Sequence, residues 1–319
     1  MYDNVIRLSW PAEDYATFQN AMVGGVKSSS DKISLMNTLT RKFPTSSLVD
    51  DANMEIANTY LADERFREAI PYLSNVIKTG SNDLKPQAYL KLGIAYYNSD
   101  NNAEALKNYK TVVEQYPNSP EAEDAIASVK GIYVDEGKSS DYSDFMRKAG
   151  RPLSVDSEDS LAFSTAELQY QNGDFNAALN GFNNYLKRFS DPAHFVEANF
   201  YRGEIYNSKK DWTNALSGYE EVAAEAPNKF AEKAILMAAR IYFFELKNYA
   251  KAETYYAQLK SITSNQENRL EAMRGLLRSQ YQQMKWTDAT SNAKELLNEK
   301  GGSSDDKSLA NMAIAKSFQ

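Results

Sequence analysis

Cysteine is absent from the 319 residues, and histidine occurs once, as His194. Without thiols there is no disulfide, no zinc site built on thiolates and no cysteine nucleophile. That absence fits an oxidising bacterial compartment. His194 has no cysteine or aspartate partner in motif spacing and reads as a surface or boundary residue. Cations do not dominate either: 36 Lys and Arg stand against 43 Asp and Glu, giving a net charge of −7 with no basic cluster. A nucleic-acid surface, whose affinity rests on neutralised phosphates, is argued against.

Long apolar runs are missing too. The longest, AILMAARIYFF from Ala234 to Phe244, is interrupted by Arg240 and is too short to span a bilayer. The opening MYDNVIRLSWPAED has no cationic start leading into an apolar core, so no signal peptide is visible. There is no GxxxxGK[ST], GxGxxG, GxSxG or HExxH. The acidic run DSEDS, Asp156 to Ser160, lacks the glycine and terminal glutamate of a calcium loop. Asp305-Asp306 reads as a charge pair at a helix N-terminus, and Gly24-Gly25 and Gly301-Gly302 as isolated turns. No catalytic residue, cofactor site or metal site emerges.

What remains is a chain 42% hydrophobic and one quarter charged, a balance that predicts a folded, soluble protein. It also contains a repeat. With Ala105 of NNAEAL as anchor, small residues recur at Ala69, Ala178, Ala215, Ala252 and Ala289, the last four in steps of 37 residues. The gap of 73 between Ala105 and Ala178 holds one disguised unit with Tyr142 in the alanine place. Lys32 stands 37 residues before Ala69, so the register runs through eight units.

Other columns move with the anchor. Four places after it stand Met36, Leu73, Tyr109, Met146, Phe182, Tyr219, Tyr256 and Ala293, large and apolar except the last. Three places before it stand Phe66, Phe175, Trp212, Tyr249 and Trp286. Twelve places before it, Ala57, Gly93, Ala166 and Gly203 are small, with Tyr60, Tyr96 and Tyr206 three places further on. Pro44, Pro117 and Pro227 follow their anchors by twelve.

This order resembles the tetratricopeptide repeat, in which each unit is a pair of antiparallel helices. The usual unit is about 34 residues, and the extra residues here sit around the proline, in PNSPEAED and SDPAHFVEAN. The long variety is similar to repeats of Gram-negative envelope lipoproteins and Tol–Pal-associated proteins, and to long repeat-array proteins of the Bacteroidetes type. The resemblance covers nearly the whole chain.

It implies an all-α fold: a right-handed α-α superhelix of about eight helix hairpins with a half repeat at each end. Small residues such as Gly93 and Ala105 are expected to face each other where the two helices cross, with Tyr96 and Tyr109 filling the gaps. First helices are expected near 13–25, 49–63, 86–99, 120–136, 158–172, 193–209, 229–246 and 266–284. Second helices are expected near 29–42, 65–79, 102–116, 140–148, 175–189, 212–225, 249–261 and 286–299. DNVIRL at the start reads as the second helix of a truncated unit, and DDKSLANMAIAKSFQ as a first helix without its partner, as in a stretch of a longer array. The polar GRPLSVDSEDS suggests three parts: an N-terminal array over 1–149 that ends in a degenerate repeat, an irregular linker over 150–160, and a C-terminal array over 161–319.

In such arrays the first helices line the concave face, and side chains one turn apart project into the groove. Carried over by column, this marks Phe163, Glu167 and Tyr170, then Phe200, Glu204 and Asn207. Met237, Ile241 and Phe244 follow, and then Arg274, Arg278 and Tyr281. The N-terminal half contributes Met54, Asn58 and Leu61, with Leu90, Ile94 and Tyr97. These positions are expected to offer aromatic anchors and polar selectors to a partner, although neighbouring first helices could equally absorb the aromatics. The implied function is a non-enzymatic scaffold that binds another protein or a peptide in its groove, periplasmic or outer-membrane-associated, in the assembly of envelope complexes. Two alternatives stand beside it: the substrate-selecting part of a larger enzyme, and a carbohydrate binder using Phe163, Tyr170 and Phe200 as stacking platforms.

Overall fold

The computed structural model describes residue 6, residues 12–23 and residues 26–316. Of DNVIRL only Ile6 falls within them, and it is helical. Gly24-Gly25 and the last three residues of the expected final helix lie outside the described residues. Among those described there are seventeen α-helices and no strand. The chain divides into two compact units, Met1–Leu153 and Ser154–Gln319.

The first unit holds α1 (Glu13–Met22) with α2 (Ser29–Lys42), α3 (Val49–Ala62) with α4 (Phe66–Thr79), α5 (Leu84–Tyr97) with α6 (Asn102–Gln115), and α7 (Glu121–Asp135) with α8 (Ser139–Lys148). The second holds α9 (Val155–Gln171) with α10 (Phe175–Arg188), α11 (Phe195–Ser208) with α12 (Trp212–Ala224), and α13 (Ala231–Arg240) with α14 (Tyr249–Ile262). It closes with α15 (Gln266–Gln282), α16 (Trp286–Asn298) and α17 (Ser304–Lys316). Within each unit every helix packs on the next in sequence, and some neighbouring first helices also touch: α5 on α7, α13 on α15, α15 on α17. This is an all-α superhelical repeat fold in which a hairpin buries its second apolar face only against a neighbour.

The anchor column explains the hairpins. Ala69, Ala105, Ala178, Ala215, Ala252 and Ala289 are all completely buried. A Cβ on Gly93 would lie 2.4 Å from the ring of Tyr109, and one on Gly203 would lie 2.8 Å from that of Tyr219. The missing side chain therefore makes room for the aromatic of the second helix. Caps recur in the same register: Asn101, Asp174, Asp211 and Asn248 each accept the backbone N–H three residues on, satisfying one orphan donor of the second helix.

The turn between the helices is also fixed by column. Five places before the anchor, Glu64, Asp100, Gly137, Gly173, Lys210, Lys247 and Met284 all have positive φ, between 53° and 79°. Only two are glycine, so five hairpins hold a side chain in a left-handed conformation that costs about 1 kcal/mol.

One boundary follows the sequence expectation and one differs from it. The second helix of the degenerate repeat, α8, has 10 residues where its counterpart α6 has 14, as the sequence suggested. The linker expected over 150–160 is shorter, because a helix begins at Val155, capped by Ser154 accepting from Ser157 N–H at 3.2 Å. Asp159, read as part of a polar loop, is buried on α9 and accepts the hydroxyl of Tyr185 at 2.8 Å.

The other departure lies in α13, which continues as a π-helix over Ile241–Glu245. In six hairpins the residue four before the anchor bonds a carbonyl five residues back, for example Asn101 N–H to Tyr96 O and Asp211 N–H to Tyr206 O. Here Asn248 N–H reaches Tyr242 O, six residues back. The helix has taken in one extra residue. Upstream of it every position is displaced by one: Ala239 is buried beside Tyr256 in the small-residue place, and Arg240, which the column count put there, is exposed.

Candidate functional site

Where the first helices put their side chains decides which expected groove residues can meet a partner. Phe163 and Phe200 cannot. Each is 5% exposed, and each is roofed by a ring from the start of the next first helix. His194 stacks on Phe163 with centroids 4.2 Å apart and planes 14° apart; Phe230 stacks on Phe200 at 4.2 Å and 13°. The single histidine thus occupies the place that phenylalanine takes one repeat later. Tyr170 is held against Tyr201 at 4.7 Å and Phe175 at 5.6 Å. These rings join hairpin to hairpin, and two of the three proposed sugar platforms are covered.

The carboxylates of the same columns are also engaged. Glu167 accepts the hydroxyl of Tyr201 at 3.1 Å, and Glu204 accepts that of Tyr219 at 2.6 Å while pairing with Lys233 at 2.6 Å. Burial, reinforced by Glu167, pushes the Tyr201 hydroxyl up to about 12. Burial followed by the Glu204 hydrogen bond raises Tyr219 further, so both phenols remain donors. Arg274 is taken up by Asp306 of α17, and Asn207 is half-buried. Met237 and Ile241 fall out of column through the π turn: Ile241 is buried in the core of the hairpin.

Three expected residues do come together. Phe244 of the π turn with Arg278 and Tyr281 of α15 line one cleft of about 370 Å³, closed on its far side by α17. Phe243, Leu277, Leu309 and Met312 supply most of the remaining apolar wall. All three elements are first helices, so the cleft opens on the face they share. Phe244 is 46% exposed and Met312 52%, a large apolar area left open to solvent. Phe243 meets Phe244 edge-on at 4.8 Å and Tyr249 at 5.3 Å, which fixes the aromatic pair. Arg278 stands exposed at the rim.

The first unit, taken by itself, carries a smaller hollow. Tyr97, 43% exposed, lines a hollow of about 180 Å³ with Tyr109, Ser128, Gly131 and Ile132, and Ile94 beside it is also exposed. Sequence reading missed Phe243, Leu309 and Met312. The signal for the first was the doublet Phe243-Phe244, together with Ala239 standing one place before the small-residue column. Among the described residues no group of three or more His, Asp or Glu could hold a metal ion, and no helix is long and apolar enough to cross a membrane.

Residues 54–120 and 163–229 match the tetratricopeptide repeat family. Among solved structures, the chain is similar to the C-terminal part of a TPR repeat-containing protein from Cytophaga hutchinsonii. The two share 15% identity over 93% of this chain and 98% of that one, with a TM-score of 0.37. A tetratricopeptide repeat protein from Parabacteroides merdae is 11% identical over 98% of each chain, with a TM-score of 0.33. No curated protein matches the chain. With two-helix units in the expected register, the stretches 54–120 and 163–229 are tetratricopeptide repeats, set in an all-α superhelical repeat fold.

Proposed function

We propose that this protein is a non-enzymatic scaffold that binds another protein or a peptide along the face lined by its first helices. Tetratricopeptide repeats build extended surfaces of that kind, and fold alone does not carry a chemistry. The single observation that supports binding here is the apolar cleft left open between the π turn, α15 and α17, with Phe244 and Met312 exposed within it. The Glu167 and Glu204 column, by contrast, is satisfied within the array and serves its stacking.

The setting we propose is the Gram-negative envelope, with assembly of envelope complexes as the task. That part rests on the long repeat, with its proline-centred extension, and its resemblance to envelope repeat proteins. The test is crosslinked capture from an envelope extract, run with wild type and with Tyr97→Ala/Phe244→Ala/Arg278→Ala, all three residues being exposed. A protein crosslinked by wild type and lost in the variant supports the reading and assigns it to this face. Equal capture by both moves binding to the second helices or the hairpin edges. No crosslinked protein at all overturns the scaffold reading in this compartment.

A further inference from the structure

The cleft has a chemistry that narrows its partner. Its walls are aromatic and aliphatic, and its rim carries a cation that forms no ion pair among the described residues. The neighbouring arginines are all satisfied: Arg240 holds Glu271 at 3.1 Å, Arg269 holds Glu299 at 3.4 Å, and Arg274 holds Asp306 at 2.5 Å. Arg278, one turn beyond Arg274 on α15, is exposed and forms no ion pair among the described residues. An exposed guanidinium beside an apolar hollow favours a ligand that brings a carboxylate to the rim while burying a large side chain.

The backbone points the same way. The π turn over Ile241–Glu245 is the one non-α stretch in the described helices, and it is what carries Phe243 and Phe244 to the cleft. π turns are costly interruptions of a helix and are found frequently at functional sites. An ordinary α-helical end, as in the other first helices, would leave the following residues one position out of phase. The extra residue and the exposed doublet coincide.

On the protein-binding reading above, we infer that this cleft receives a peptide segment in which a large apolar residue stands next to an aspartate or glutamate. The apolar side chain enters between Phe244, Tyr281 and Met312, and the acid pairs with Arg278. A bidentate guanidinium–carboxylate contact sets its orientation.

An immobilised array of short random peptides, probed with the full chain, tests this. Three proteins are compared: wild type, Phe244→Ala/Met312→Ala and Arg278→Glu, each first shown by circular dichroism to melt as wild type does. The expected result is enrichment of peptides with a large apolar residue beside Asp or Glu. Those peptides should lose about tenfold or more in affinity on the double alanine variant, a difference of about 1.4 kcal/mol. Arg278→Glu should shift the preference from acidic to basic neighbours. Peptides that bind all three proteins alike would overturn the cleft assignment while leaving the scaffold reading in place. An array with no enriched peptide would also overturn it, and crosslinked capture would then show separately whether folded partners bind. Sedimentation supplies the last outcome: self-association of wild type that disappears in Phe244→Ala/Met312→Ala would make the cleft a contact between two copies and overturn the peptide assignment.

Discussion

Arg274 of α15 and Asp306 of α17 meet at two points, Nε to Oδ1 at 2.5 Å and Nη2 to Oδ2 at 2.9 Å. Asp306 is 3% exposed and also accepts from the backbone and hydroxyl of Ser303, at 2.8 and 2.9 Å. One carboxylate therefore caps α17 and ties it to the preceding first helix. The two helices so joined are the ones that, with the π turn, line the cleft.

The Arg274 guanidinium, helped by Ser303, holds the Asp306 carboxyl at about 2, below its ordinary 3.8. A depressed folded-state value gives stability that is complete above the ordinary value and lost as pH falls toward the folded one. Wild type should therefore lose about 2 kcal/mol between roughly pH 4 and pH 2 through this group. Asp306→Asn should lose that component and be less stable at neutral pH. Denaturant unfolding at several pH values reads both, and equal acid sensitivity of the two proteins would refute the linkage.

Phe200→Ala should destabilise by about 3–5 kcal/mol, because the ring is buried under Phe230 and its removal leaves a cavity. Phe244→Ala, at an exposed position, should cost less than about 1 kcal/mol. Urea melts of the pair separate a stacking role from a surface role. If the two variants melt together, the burial pattern described here does not hold in solution.

Close crossings should not tolerate added atoms. A Cβ on Gly275 would lie 2.3 Å from the Tyr256 ring, which is 1% exposed and has little room to move. Gly275→Ala is expected to cost about 1–3 kcal/mol, and Ala215→Phe at a completely buried anchor at least as much. An Ala215→Phe protein that melts with wild type would show that the repeat register is wrong.

Stability can also be gained. Met284 sits at φ 58° and is 72% exposed, so its side chain contributes little while its backbone is strained. Met284→Gly should raise stability by about 1 kcal/mol as the left-handed turn is relieved, less the greater freedom of glycine in the unfolded chain. Lys210→Gly, in the same column at φ 60°, should behave alike. A fall in melting temperature for both would contradict the strain argument.

Most of the architecture was legible because the repeat is written in large and small residues whose packing leaves little choice. Ala105 and Tyr109 fix a hairpin almost by themselves. The site was legible only in part, and for a definite reason. A column tells which way a side chain points, not whether the next hairpin covers it. Tyr170 and Phe244 share a column, yet Tyr201 lies against the first with centroids 4.7 Å apart while the second remains 46% exposed. The ring that does the covering belongs to the next first helix, outside the column being read. The π turn was hidden for another reason: spacing between anchors stays at 37 on both sides of it, so the count alone shows no insertion.

That hidden insertion bears on how such an array stays in step. One more residue in an α-helix turns every following side chain by about 100°, enough to swing an apolar stripe off its neighbour. Here the added turn is absorbed between Ile241 and Glu245, and Ala252 of the next helix arrives buried in its usual place. The helix changes its count while the repeat keeps its length and the next helix its phase. A periodic stack can in this way acquire one aperiodic face, at a single position, and pass nothing of the change along the chain.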